Sequence, residues 1–158
     1  MQVFVDEAGE PVGWAANVTA TCESEDINGN RILDAGEDRN GNGSLDPQDP
    51  AILAAVEDNQ ANVATIVGGT GALTTDATGS GFFELRYPKS HSLWATVNVN
   101  AHAEALGTEA INSFEKRLSI LASETDDVTV APPNRISPYG TGTSCFDTEY
   151  EICLRLKP

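Results

Sequence analysis

Alternation of apolar and polar residues, rather than a helical repeat, runs through much of this chain. In VNVNAHAEA, residues 97–105, Val97, Val99, Ala101 and Ala103 fall on one side of an extended backbone and Asn98, Asn100, His102 and Glu104 on the other. That period of two predicts a strand with one buried face. GFFELRYP predicts a second strand that ends at Pro88, and TTDATGSG before it carries a turn at Asp76 with Gly79 or Gly81. LGTE reverses the chain after Glu104. Residues 109–121 are expected to return as a strand with Phe114, Leu118 and Ile120 on one side. Gln2-Val3-Phe4-Val5, VGWAANVTATC and DDVTVAP read as further strands near the ends. Short strands punctuated by turns predict an all-β chain, folded as an antiparallel β-sandwich.

One stretch breaks the alternation. DINGNRILDAGEDRNGNGSLDPQD, residues 26–49, holds six carboxylates and four asparagines with few residues able to form a core. Numbered as a calcium loop, oxygens are needed at positions 1, 3, 5, 9 and 12, with a backbone carbonyl at 7. Asp26, Asn28, Asn30, Asp34 and Glu37 meet the side-chain positions, and Ile32 stands at 7. The register restarts at once: Asp38, Asn40, Asn42, Asp46 and Asp49 repeat it, with Ser44 at 7 and Gly43 at the sharp turn at 6. Hard cations take six to eight oxygens, which short Asp and Asn side chains supply in a curled backbone. The expected cofactor is therefore Ca²⁺, as one or two ions, bound with affinities on the order of 10⁻⁴ to 10⁻³ M, as in extracellular modules. The first loop departs from the pattern by placing Arg31 at the turn and Gly29 two positions early. Leu33 and Leu45, at position 8, are expected to leave the loops toward the core. The flanks lack the four helices of a paired helix–loop–helix unit; only AILAAVEDN, with Asp49 as cap and Pro50 in the first turn, predicts a short exit helix.

Charge narrows the partners. Acidic residues outnumber basic ones by 24 to 9, giving a net charge of −15, so nucleic acid and anionic lipid are repelled. Eight of those acids lie between Glu23 and Asp49, which makes the imbalance partly local and favours a bound cation. No apolar run approaches the length of a bilayer span. In CFDTEYEIC, Cys145 and Cys153 are expected to bridge a hairpin as a disulfide, which implies an oxidising compartment and leaves Cys22 over, free or paired outside the chain. MQVFVDEAGE has no signal-peptide pattern. The chain thus reads as an excerpt of a longer exported polypeptide, extracellular or at a cell surface, with residues 1–158 forming a single sandwich domain and 23–50 a calcium-loop insertion.

TTDATGSGFFELRYP followed by LWATVNVNAHAEALGTEA resembles the bacterial immunoglobulin-like domains of the invasin and intimin type, through Asp76, Gly79, Tyr87, Trp94, Gly107 and Thr108. The resemblance spans roughly residues 60–122, with NVTAT at 17–21 as a weaker early strand. The acidic stretch is similar to the Asp/Asn/Gly calcium repeats of secreted bacterial proteins and, in its abutting loops, to thrombospondin type 3 repeats. What the resemblance implies is an immunoglobulin-like sandwich acting as a rigid spacer in a surface adhesin, whose partners are neighbouring domains of the same polypeptide. The other function class is a calcium-dependent recognition module for a glycan or protein ligand, with Trp14, Trp94, Tyr87 and Tyr139 as either a stacking surface or core aromatics. An enzyme is not expected. His91 and His102 are the only histidines, Ser90-His91-Ser92 shows no third partner, and a calcium ion enclosed by protein oxygens leaves no open position for catalysis.

Overall fold

The computed structural model describes residues 1–47, 50–56, 64–67, 70–105, 107–140, 142–146 and 154–155. Regular structure among them is strand, apart from two single 3-10 turns at Lys89–His91 and Ala122–Glu124. The chain divides into two compact units, one made of residues 1–48 and 89–158, the other of 49–88. Residues 26–48 of the acidic stretch fall in the larger unit.

In the larger unit β1 (Gln2–Val5) and β2 (Pro11–Ala15) form an antiparallel hairpin. Asp6 builds its turn: Oδ1 accepts the backbone N–H groups of Ala8 and Glu10, each at 2.9 Å. A carboxylate accepting from residues two and four ahead supplies the reversal with the hydrogen bonds that strand pairing cannot. Trp14 ties β2 down, its backbone N–H donating to the Thr125 carbonyl at 2.8 Å and its indole N–H to the Asp127 carbonyl at 3.1 Å. The strand expected at DDVTVAP does not form. Asp127 folds that segment into a turn, its Oδ1 accepting both the backbone N–H and the hydroxyl of Thr129, a local alternative that competes with extended pairing.

The next strand is β3 (Cys22–Glu23). Cys22 is bonded to Cys145 with Cα atoms 5.6 Å apart, which corrects the expected Cys145–Cys153 bridge and accounts for Cys22. The segment before β3 runs beside residues 142–145: the Thr19 hydroxyl donates to the Gly142 carbonyl at 2.6 Å. Pairing follows this long-range path rather than closeness in sequence. Cys153 lies outside the described residues.

The smaller unit holds β4 (Ile52–Ala55), β5 (Ala64–Val67), β6 (Thr70–Leu73) and β7 (Phe83–Arg86), paired antiparallel as β4 with β7 and β5 with β6. Residues expected to start an exit helix instead pair as β4, with Ile52 opposite Arg86 and Leu53 opposite Leu85. Cross-strand partners override the weak helical preference of such a short run. The turn read at TTDATGSG is present. Asp76 Oδ1 accepts from the Thr78 and Ser80 backbones, Gly79 supplies the left-handed residue at φ 78°, and Gly81 leaves room for Leu73, whose Cδ2 would stand 2.5 Å from any added Cβ.

β8 (Thr96–Ala105) and β9 (Thr108–Arg117) form a ten-pair antiparallel hairpin in the larger unit. The sheet order is β3-β10-β8-β9, where β10 (Leu154–Arg155) runs parallel to both neighbours, so this sheet is mixed rather than purely antiparallel. The alternating face of β8 is buried only in part: Val97 and Val99 are enclosed, whereas Ala101 and Ala103 are exposed. Phe114, expected beside Leu118, is 51% exposed, because the core gathers at the base of the hairpin around Leu118, Ala95 and Trp94. There Leu93 and Ala95 exchange backbone bonds with Leu118, the Trp94 indole N–H donates to the Asn134 carbonyl at 2.7 Å, and the Asn134 amide donates to the Ser92 carbonyl at 2.6 Å. Among the described residues, no helix is long and apolar enough to cross a membrane.

Candidate functional site

The acidic stretch folds into two loops whose hydrogen bonds largely repeat at an offset of twelve residues, the second adding bonds from the Gly41 N–H to Asp38 Oδ1 and from the Asn40 N–H to Glu25 Oε1. In the first, both Asp26 oxygens accept from the backbone, Oδ1 from Asn30 at 3.0 Å and Oδ2 from Arg31 at 2.9 Å. In the second, Asp38 Oδ1 accepts from Asn42 at 3.1 Å and Oδ2 from Gly43 at 3.0 Å. Asn28 Oδ1 accepts from the Asn30 backbone and Asn30 Oδ1 from Ile32; their counterparts Asn40 and Asn42 accept from Asn42 and Ser44. The amide groups of Asn28 and Asn30 both donate to Asp34 Oδ2 at 2.8 Å, as those of Asn40 and Asn42 do to Asp46 Oδ2 at 3.3 and 2.7 Å. Each step follows from a short side chain reaching a backbone N–H two to five residues ahead, the reach that makes Asp and Asn turn builders.

These bonds bring together Asp26, Asn28, Asn30 and Asp34 in one loop and Asp38, Asn40, Asn42 and Asp46 in the other. Ile32 and Ser44, at position 7, are both exposed, and Leu33 and Leu45 are half-buried in both loops. Position 6 is left-handed in each, at φ 63° for Arg31 and 76° for Gly43. The arginine therefore adopts the turn conformation despite its side chain, and Gly29 is not misplaced, since Gly41 occupies the matching position with the same φ of 73°. The two amide donors on Asp34 hold its carboxyl below the usual range.

The closing contacts hold what the sequence reading missed. Glu37, at position 12 of the first loop, is only 5% exposed; Oε1 accepts from the Ile27 backbone at 3.0 Å, Oε2 from Asp34 at 2.9 Å, and its own N–H donates to the Asp34 carbonyl. In the second loop the same three bonds are made by Glu25, from outside the numbered positions. It is 4% exposed; Oε1 accepts from Arg39 at 2.9 Å, Oε2 from Asp46 at 3.1 Å, and its N–H donates to the Asp46 carbonyl at 2.8 Å. Asp49, expected at that position, lies outside the described residues. One signal in the sequence marks Glu25: a glutamate directly precedes each loop, Glu25 before Asp26 and Glu37 before Asp38.

Both loops are rich in the hard oxygens that suit Ca²⁺: Asp26, Asp34 and Glu37 bring three carboxylates to the first, and Asp38, Asp46 and Glu25 bring three to the second, with two side-chain amides in each. In the arrangement described the Asn amide nitrogens, not the oxygens, face Asp34 and Asp46, and among the described residues no three His, Cys, Asp or Glu side chains converge on a single point.

Elsewhere the chemistry is sparse. Ser90 Oγ lies 3.1 Å from His91 Nδ1, and burial pushes the imidazole pKa down, but its ring packs edge-on against Tyr139, at 5.6 Å between centroids, with no carboxylate paired to it among the described residues. His102 is exposed, 3.6 Å from Glu109. A groove of about 300 Å³ is lined by Val18, Thr19, Trp94, Arg135 and Ile136. Trp94 shows little face to it, being 5% exposed, and Arg135 lies over the ring of Trp14, 5.8 Å from its centroid. Compared with known protein families, characterised proteins and solved structures, the chain finds no match.

Proposed function

We propose that this chain is a non-enzymatic, calcium-stabilised structural module of an extracellular or surface-displayed protein, of the spacer kind that the immunoglobulin-like, adhesin-type resemblance implies. The observation that supports the reading is the duplicated loop: two loops offset by twelve residues, each curled by the same Asp and Asn side chains and each closed by a buried glutamate. A polar linker has no need to repeat its hydrogen bonds in register. A spacer gains stiffness when a cation neutralises such a loop and fixes it. The Cys22–Cys145 disulfide supports an oxidising location.

Thermal unfolding in excess calcium and in EDTA tests this. At a concentration about 100 times Kd, one site adds about 2.7 kcal/mol to the folded state, so the wild-type midpoint rises by several degrees in calcium. Asp26→Asn and Asp38→Asn, each removing the first carboxylate of one loop, reduce the rise. Coincident wild-type curves overturn the calcium reading. Binding to an immobilised glycan array that EDTA abolishes would replace the spacer with the recognition module.

A further inference from the structure

The closing glutamates are exchanged between the loops. Glu37 immediately precedes the second loop yet closes the first, and Glu25 immediately precedes the first loop yet closes the second. Each is the chain neighbour, through one peptide bond, of the aspartate that starts the loop it does not close, Glu25 of Asp26 and Glu37 of Asp38. Those aspartates organise the turns, Asp26 through the Asn30 and Arg31 backbones and Asp38 through Gly41, Asn42 and Gly43.

We infer that crosswise closure makes the two loops open and close as one unit, with Glu25 as the positioning residue of the second. Releasing Glu25 frees the Arg39, Asn40 and Asp46 backbones directly. It also removes the fixed point from which Asp26 reaches into the first loop. Releasing Glu37 acts in the mirror sense, through Asp38. Each glutamate is buried, so its carboxylate has few alternatives to the N–H groups it serves, and separate opening strands polar groups away from water on both sides of the break. The coupling belongs to the backbone and holds with or without an ion. Its extension, that filling one loop raises the affinity of the other, rests on the calcium reading above.

Amide hydrogen exchange on the full chain in EDTA separates the two. With Glu25→Gln we expect exchange at Arg39, Asn40 and Asp46 to rise ten-fold or more and exchange at Ile27 and Asp34 to rise with it. Glu25→Asp, which keeps the charge but is one methylene shorter, shows the same pattern, with Trp fluorescence confirming that the larger unit stays folded. An effect confined to Arg39, Asn40 and Asp46 overturns the coupling, and wild-type exchange in both Glu25 variants overturns the assignment of Glu25. Calcium titration is the second arm. Two ions binding with a Hill coefficient above 1 in wild type, and at or below 1 in Glu25→Gln, extends the coupling to the ions. Wild type binding no calcium removes that extension alone, and leaves the exchange result to decide the rest.

Discussion

The loops starting at Asp26 and Asp38 share most of their hydrogen bonds although their sequences differ at three telling places. The residues that do the curling are identical, Asp, Asn, Asn and Asp at positions 1, 3, 5 and 9. The turn residue is not, being Arg31 in one and Gly43 in the other, both left-handed. Position 7 holds an exposed isoleucine against an exposed serine, and in both loops its backbone N–H donates to the asparagine at position 5. The closing carboxylate differs most, coming from within the first loop and from before it in the second. The side chains that accept backbone N–H groups therefore define the ring, and the other positions need only avoid obstructing it.

The foundations of the two closing residues also differ, which gives the largest expected effect. Glu25 lies three residues from the disulfide at Cys22, whereas Glu37 sits inside the stretch. Replacing Cys22 and Cys145 together by serine releases a crosslink spanning 123 residues, for which the chain-entropy model gives about 4 to 5 kcal/mol and measured cases typically about 2 to 4. Denaturant unfolding followed by Trp14 and Trp94, both in the larger unit, should show a loss of about 3 kcal/mol. A loss under about 0.5 kcal/mol, the scale of an indifferent surface change, would mean the foundation of Glu25 does not depend on the bond.

Glu37→Gln is expected to come next. Glutamine keeps one acceptor and turns an N–H₂ toward a backbone donor, leaving one of the Ile27 and Asp34 groups without a partner in a buried place. Hydrogen bonds to charged acceptors are worth about 1.5 to 3 kcal/mol, so a loss of about 2 kcal/mol in the same unfolding experiment is expected. If Glu37→Gln is silent while Glu25→Gln is not, the loops are closed by unequal means despite their matching geometry.

Much of this was legible in the sequence, and what was not has physical causes. The register of both loops follows from short polar side chains acting on their immediate neighbours, as do the turn at Asp76 and the β8–β9 hairpin around Gly107. The coarse expectation of an all-β chain holds for the same reason. Long-range choices were hidden. Cys22 finds Cys145 because residues 17–22 and 142–145 run side by side, and Glu25 reaches 21 residues ahead to Asp46. Local alternation also overstated burial: it marks a strand's two faces but not whether anything covers them, so Val97 and Val99 are enclosed while Ala101 and Ala103 are not. Two more local readings failed to competition, Asp127 turning a segment that reads as strand and β7 recruiting one that reads as helix.

The difference at position 6 is smaller and can be removed from either side. An added Cβ at Gly43 meets nothing within 4 Å, so Gly43→Ala is strained by its φ of 76° alone. A left-handed residue with a side chain costs about 1 to 2 kcal/mol, and Gly43→Ala should lose about 1 kcal/mol. Arg31→Gly relieves the same strain but frees the unfolded chain by about 0.5 to 1 kcal/mol, leaving a gain of about 0.5 kcal/mol. Chemical unfolding of both variants checks the pair. Equal and opposite changes would show that the two positions carry the same left-handed strain, since unfolded-state freedom enters the two variants with opposite sign, and a loss on Arg31→Gly would mean the arginine side chain stabilises the loop more than its backbone strains it.

The smallest effect concerns Asp34, where Asn28 and Asn30 both donate to one carboxylate oxygen. Those amide donors favour the ionised form and lower the pKa, while limited desolvation opposes them. A carboxyl whose folded pKa lies below its unfolded value stabilises the fold above the unfolded value, and that contribution is lost as pH falls through the folded pKa. Asp34 is exposed, so the stability change is slight, and titration reads it better than unfolding does. Following the Asp34 carboxyl carbon by NMR, Asn28→Ala should move its midpoint upward, Asn30→Ala should do so by a smaller amount, and the double variant should restore an ordinary aspartate. The order matters, because Asn28 is the stronger of the two influences. Calcium adds a sign test: an ion at that carboxylate would depress the midpoint through its own charge, even where it displaces the amide donors. In the wild type the Asp34 midpoint should therefore stay depressed and respond to calcium if the ion reaches that carboxylate, and be unchanged by calcium if the asparagines alone set it.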